Sequence, residues 1–241
     1  GIRIDGYRAN VRNTDNRVLG VVTERYKIVQ NEEAFAFTDA LLGKGVRYET
    51  AGSLQDGRKV WLLARLPKEY IISGEQISPY LVFSNNNTLN LALSTAKRSW
   101  AMVHTGNIKG KIHEAQETLL MAETYMNKLG KEFETLKCQK LSDRQIKEYI
   151  ELLLPLEKTT SLVTAKNVKK LRDDLRARYY DAPDLQDVGG NNAYRFINAV
   201  SDFATHNEPL RRTTNYKENL FMRTMDGNPM IDRAYQIVKA A

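Results

Sequence analysis

From Ile112 onward the apolar residues step by three and four without a break: Ile112, Ala115, Leu119, Ala122, Met126, Leu129, Phe133 and Leu136. A strand cannot use that period. It predicts one continuous helix of about 25 residues, ~37 Å long, with an a/d seam along one side. Such a seam is covered by the rest of the chain or by a second subunit, and the pattern leaves both open.

Ahead of this helix the period is two. Residues 7–12 alternate strictly, Tyr7, Ala9 and Val11 against Arg8, Asn10 and Arg12. A turn at 13–16 leads to a second strand over 17–29, which predicts a hairpin with one polar, arginine-bearing face. Asn31 reads as the N-cap of a helix, with Glu32 and Glu33 in its first turn and Phe35 and Leu41 along it. Residues 46–66 form another hairpin around Asp56-Gly57. Its return strand carries Val60, Leu62, Ala64 and Leu66 on one face and Trp61, Leu63 and Arg65 on the other, so it is central in a sheet. Residues 79–83 and 100–104 read as further strands, and 88–93 as helical.

Behind the seam the chain is all helical. Ser142 and Asp143 cap a helix that runs to Leu154, where Pro155 ends or kinks it. Others cover 165–180, 193–206 and 217–225, and a last one starts at Pro229. The fold class is therefore α+β: an N-terminal antiparallel, hairpin-rich sheet with packed helices, the long heptad helix, then an all-helical C-terminal region. The boundary falls between 1–111 and 112–241, and the two parts are expected to form one cooperative unit.

The formal net charge is +7, which suits an anionic partner. Residues 1–111 hold 16 Lys/Arg and 10 Asp/Glu, and residues 112–241 hold 20 and 19, so the surplus sits in the β-rich half. Cys138 is the only cysteine. It makes no intrachain disulfide, and with three scattered histidines it builds no zinc site, which fits a reducing compartment. No stretch approaches the ~20 apolar residues of a membrane span. The first residues show no signal-peptide pattern, and they begin inside a strand pattern, so further residues are expected before Gly1.

Catalytic motifs are not apparent. There is no glycine-rich loop followed by Lys-Ser/Thr and no Gly-x-Gly-x-x-Gly after a strand. His104 and His206 read as structural, and His113 lies one residue past the seam. Asp173-Asp174 and Glu32-Glu33 read as solvated helix surface. No cofactor and no enzymatic activity is expected. The binding signals are stronger. Arg8 and Arg12 share a strand face; Arg25 and Lys27 flank Tyr26; Arg58-Lys59 follow a hairpin turn; Lys97-Arg98 precede Trp100. Cations at these places can neutralise phosphates, and Tyr7, Tyr26, Tyr48 and Trp100 can offer stacking faces to bases. The competing reading is a solvated basic surface over buried aromatics.

Several blocks resemble one family. They are Val18-Leu19-Gly20-Val21-Val22-Thr23-Glu24-Arg25-Tyr26-Lys27-Ile28-Val29-Gln30-Asn31, then Arg47-Tyr48-Glu49-Thr50-Ala51-Gly52-Ser53-Leu54 with Arg58-Lys59-Val60-Trp61 after it, then Asn87-Thr88-Leu89-Asn90-Leu91-Ala92-Leu93 and His104-Thr105-Gly106-Asn107. Asn198-Ala199-Val200-Ser201-Asp202-Phe203 and His206 complete the order. Together they resemble the phage/plasmid-like family, domain of unknown function 932, found on phages, prophages and plasmids. The family pattern implies a variable loop and a strand between residues 80–84 and the Asn-Thr-Leu block. Here Asn85-Asn86-Asn87 joins the two directly, so the segment is either deleted or missing from this sequence.

The resemblance implies a mobile element and leaves mechanism open. The expected function is a non-catalytic DNA-binding protein, in its sharpest form a single-strand DNA-binding, annealing or recombination-mediator protein. It would work as a homo-oligomer, ring or filament, in the cytoplasm of a bacterial host. The phosphate contacts are expected from Arg8, Arg12, Arg25, Lys27, Arg58, Lys59, Lys97 and Arg98, with Tyr26 stacking. The alternative is an anti-restriction or host-takeover protein that binds a host protein. A metal-dependent nuclease using Glu24 and Glu49 is a third reading, and it needs convergent, unpaired carboxylates.

Overall fold

The computed structural model describes residues 5–26, 28–33, 35–36, 45, 47–72, 74–86, 91–95, 98–102, 108–157, 161–185, 189–209 and 212–240. The chain is α+β and divides into two compact units, Gly1–Met126 and Asn127–Ala241.

The first unit opens with the hairpin β1 (Tyr7–Val11) and β2 (Val18–Thr23). Its register pairs Arg8 with Val22 and Asn10 with Gly20, then slips, so that Leu19 is an extra residue in β2. This bulge turns Leu19 toward the side of Val22, and both are buried together with Asn10. The expected faces are thus exchanged. The side bearing Arg8 and Asn10 is the covered one, whereas Tyr7, Val11, Val18 and Val21 are exposed. The second strand is also shorter than expected. It ends at Thr23, and the Tyr26 amide donates to the Thr23 carbonyl (3.0 Å), so residues 24–26 form a turn.

Five antiparallel strands form the main sheet: β3 (Arg47–Leu54), β4 (Lys59–Arg65), β7 (Tyr80–Asn86), β8 (Leu91–Thr95) and β9 (Arg98–Met102), side by side in that order. A small hairpin, β5 (Tyr70–Ile72) and β6 (Glu75–Ile77), lies between β4 and β7 in the chain. β4 has a partner on each side, as its two-faced pattern predicts. Ala64, Leu66, Leu81 and Phe83 are buried on one face of the sheet. The residues expected to be helical at 88–93 are partly strand β8, paired with β7 through Leu93–Phe83 and Leu91–Asn85. Leu89, Leu91 and Leu93 alternate with Asn90 and Ala92, and in so short a run the period of two prevails. The last strand starts at Arg98 rather than at Trp100.

Residues 31–33, 35 and 36 are helical, so Asn31 lies within the first turn rather than ahead of it. The Gln30 amide donates back to Glu33 (3.2 Å), and the Asn31 side chain instead accepts from Asn85 Nδ2 (2.8 Å). Asn85 also donates to the Val29 carbonyl (3.1 Å) and is 2% exposed. One buried amide of the central strand β7 therefore pins the chain over 29–31. The rest of the expected helix lies outside the described residues.

The heptad seam is one helix, α1 (Ile108–Cys138), and the division between units falls within it. In its C-terminal part the seam is packed inside the chain. Met126 and Leu136 are buried, and Phe133 lies edge-on to Tyr194 at 5.0 Å. The second unit adds α2 (Asp143–Leu153), α3 (Leu162–Asp181), α4 (Ala193–His206), α5 (Tyr216–Asp226) and α6 (Pro229–Lys239). Ser142 and Gln145 form a reciprocal capping box on α2. The core gathers Leu136, Ile146, Ile150, Leu175, Tyr179, Phe196, Val200 and Val238. Buried Arg195 donates to the Tyr179 (2.7 Å) and Tyr180 (3.1 Å) carbonyls and so closes the C-terminal turn of α3, while its own amide is capped by Asn192. No helix among the described residues is long and apolar enough to cross a membrane.

Candidate nucleic-acid interface

Residues opposite one another across antiparallel strands share a face. On the outer face of β3, β4 and β7 the register sets Arg47, Arg65 and Tyr80 in one row and Thr50, Leu63 and Val82 in the next. Gly52, Trp61 and Ser84 follow, then Leu54, Lys59 and Asn86. Cover grows along these rows. Arg47 and Tyr80 are exposed, Leu63 and Trp61 are half-buried, and Leu54 and Lys59 are buried. The Trp61 indole lies flat on Gly52, where a Cβ would come within 2.7 Å of the ring, so the glycine admits the aromatic face.

The open corner is polar and ordered. Glu49 is the bulge residue of β3, and it accepts from Arg65 (3.4 Å). Its hydrogen bond with the Tyr80 hydroxyl pushes that phenol's pKa up. Arg65 also reaches Glu69 and Ser78, and Gln76 of β6 reaches Glu69. Glu49 is thus engaged rather than unpaired, and the described residues contain no group of carboxylates, histidines and cysteines able to hold a metal ion.

At the opposite end the β3–β4 turn is latched to the first hairpin. Arg12 grips Asp15 (Nε to Oδ1, 2.8 Å) and donates to the Asp56 carbonyl (2.9 Å), while Arg17 pairs with the Asp56 carboxylate (2.6 Å). Gly57 has φ +91°, and a Cβ there would run into the Arg12 guanidinium. Arg12 holds the Asp15 carboxyl down at about 2.

The sequence-predicted site residues separate under this geometry. Arg12 is committed to the latch. Arg8 is exposed and donates to the Tyr26 carbonyl. Tyr26 is half-buried, and that burial raises its pKa. Lys59 is 7% exposed, so its side chain offers little surface. Arg25 lies in the turn after β2, not on a strand face. Arg58 is exposed just past the β3–β4 turn. Arg98 starts β9, in register with Thr95. Lys27 and Lys97 lie outside the described residues. Sequence reasoning missed Arg47, Trp61 and Tyr80 as a group. Their parity around Leu63 was the available signal, but only the register aligns them.

Charge also redistributes. Counted by compact unit, residues 1–126 hold 16 Lys/Arg and 13 Asp/Glu, and residues 127–241 hold 20 and 16. The front-half surplus came from cutting ahead of Glu114, Glu117 and Glu123. What distinguishes the first unit is which cations remain open. Asp15, Asp56, Glu49 and Glu69 occupy Arg12, Arg17 and Arg65, whereas Arg25, Arg47 and Arg58 are exposed and pair with no acid among the described residues.

No curated protein and no solved structure matches the chain. A family model does, over residues 18–86 and 86–224. The two stretches meet at Asn86, next to the junction where the family pattern implies a further segment. The match spans most of the sequence, and the chain belongs to the family described as a domain of unknown function, DUF932.

Proposed function

We propose that the chain is a non-catalytic single-strand DNA-binding protein of a phage, prophage or plasmid, acting in annealing or recombination in the host cytoplasm. The observation that carries this reading is the set of exposed arginines without acidic partners among the described residues, Arg25, Arg47 and Arg58, together with exposed Tyr80 and half-exposed Trp61, which share one face of the sheet with Arg47. Arg47 and Arg58 stand at opposite ends of β3, roughly 25 Å apart at 3.4 Å per residue. That span suits a short run of extended strand, with phosphates on the arginines and bases on the aromatic faces. Arg8 and Arg98 belong to the same reading as further phosphate contacts, with Lys27 and Lys97.

The test is fluorescence anisotropy of labelled oligothymidylate against the full chain over a salt series. Binding is expected to weaken steeply with salt. The variant Arg25→Glu/Arg47→Glu/Arg58→Glu should lose at least ten-fold in affinity and flatten the log–log salt slope by about 0.7 for each contact removed. Salt-insensitive binding, or an unchanged triple variant, overturns the reading. Absent DNA affinity together with one stoichiometric host protein in a pull-down would favour the host-takeover alternative.

A further inference from the structure

The end of α2 and the start of α3 carry two uncovered aliphatic strips. Arg172 donates to the Leu154 carbonyl (3.0 Å) and stands 3.9 Å from Glu151, which fixes the third turn of α3 at the C-terminal end of α2. Residues 162–171 precede that contact by about 15 Å of helix. Leu175 and Tyr179 are buried and mark the inner side of α3, with Ala165 and Val168 half-buried along it. At about 100° per residue, Leu162, Val163, Lys166, Lys169 and Lys170 fall within one arc of roughly 120° on the opposite side. All five are exposed, Leu162 by 90% and Val163 by 73%. None of the three lysines pairs with an acid among the described residues.

The second strip is the outer side of α2 and the residues after it. Leu152 and Leu156 are exposed there among Glu148, Glu151 and Glu157. Glu148 has Arg144 at 2.8 Å, a solvent-facing pair that exchanges at little cost, and Glu151 stands 3.9 Å from Arg172, which is held by the Leu154 carbonyl and leaves the exposed carboxylate open to a second cation. One strip is thus aliphatic with three cations and the other aliphatic with three anions.

We propose that a second copy of this chain docks here through a two-fold contact, the α3 overhang of each copy lying on the acidic end of α2 of the other. Two-fold symmetry makes the pairing reciprocal, so every contact occurs twice. It withdraws Leu152, Leu156, Leu162 and Val163 from water on both copies and sets three lysines against three glutamates. Exposed apolar clusters rimmed by charge mark such association sites. A contact of this size falls at the low end of stable interfaces, near ~1,200 Å², and gives a dimer in the micromolar range. The inference does not depend on DNA binding by the first unit.

Sedimentation equilibrium of the full chain across the micromolar range tests it. The wild type is expected to show a reversible monomer–dimer equilibrium. Leu162→Ser with Val163→Ser, which leaves charge untouched, should weaken association at least ten-fold. Reversal of the basic strip (Lys166→Glu, Lys169→Glu, Lys170→Glu) or of the acidic strip (Glu148→Lys, Glu151→Lys, Glu157→Lys) should give monomers. Mixing the two reversed chains should restore a dimer, because each strip then meets its complement. A monomeric wild type, a dimer indifferent to these substitutions, or a mixture that stays monomeric overturns the proposal. Circular dichroism melts of each variant confirm that the exposed substitutions leave the fold intact.

Discussion

Arg195 and Asn85 are both buried polar side chains, one in each unit, and they serve different ends. Arg195 sits inside the helical core, stacked 5.2 Å from the Tyr179 ring, and closes carbonyls of a helix packed in the same core. Asn85 sits in the sheet and ties down the irregular segment at 29–31. Arg195 completes a regular element of its own core. Asn85 holds a connecting segment onto a sheet whose other face is only partly covered. That leaves the β unit with ordered backbone next to open arginines, the condition for binding an extended ligand without prior rearrangement.

The comparison breaks first at Phe196. It is fully buried and meets Tyr149 edge-on at 5.6 Å and Tyr179 at 6.3 Å. Phe196→Ala should cost about 3–5 kcal/mol in denaturant unfolding. The oligothymidylate affinity of the molecules that remain folded should not change. A parallel loss of affinity would place part of the proposed DNA surface in the helical unit.

Asn85→Ala should do the reverse in kind and less in amount. It removes the donor for the Val29 carbonyl and Asn31, at about 1–3 kcal/mol. Because the pinned segment follows Arg25, amide exchange over 28–31 should rise more than exchange in β4. Uniform acceleration across the sheet would mean that Asn85 supports the core rather than the connection.

How much of this was legible in sequence follows from how local each signal is. The heptad step of α1, the Ser142 cap and Pro155 after α2 are decided within a few residues, and each forms as expected, whereas Gln145 as the reciprocal partner of Ser142 appears only in the structure. The hairpin faces were misassigned because the Leu19 bulge depends on pairing with β1, which alternation cannot reveal. Residues 88–93 were misassigned because a short apolar run fits both periods until a neighbouring strand selects one. The site was less legible still. Lys59 and Arg58 are adjacent, yet one is buried and the other exposed, a difference set by strand register and by the latch at Asp56. The partnerless arginines emerge only after the acids have been assigned to the others.

The smallest expected effect concerns that latch. The Asp15 carboxyl is lowered from its ordinary 3.8 to about 2, first by its hydrogen bond with Arg12 and further by the Arg17 amide. A carboxylate whose folded pKa lies below its unfolded one adds stability above the unfolded value, and it loses that contribution as pH falls toward the folded value. The wild type should therefore lose thermal stability between about pH 4 and pH 2 in excess of Asp15→Asn, whose melting curve should be flatter over that window. The pair is solvent-exposed, so the difference should be small and should shrink further in high salt. Gly57→Ala tests the same contact from the other side, because it pushes against Arg12 and strains a backbone at φ +91°. In that background the excess pH dependence of wild type over Asp15→Asn should disappear. If it persists, Asp15 acts through the Arg17 amide alone, and the two hairpin turns are held together without it.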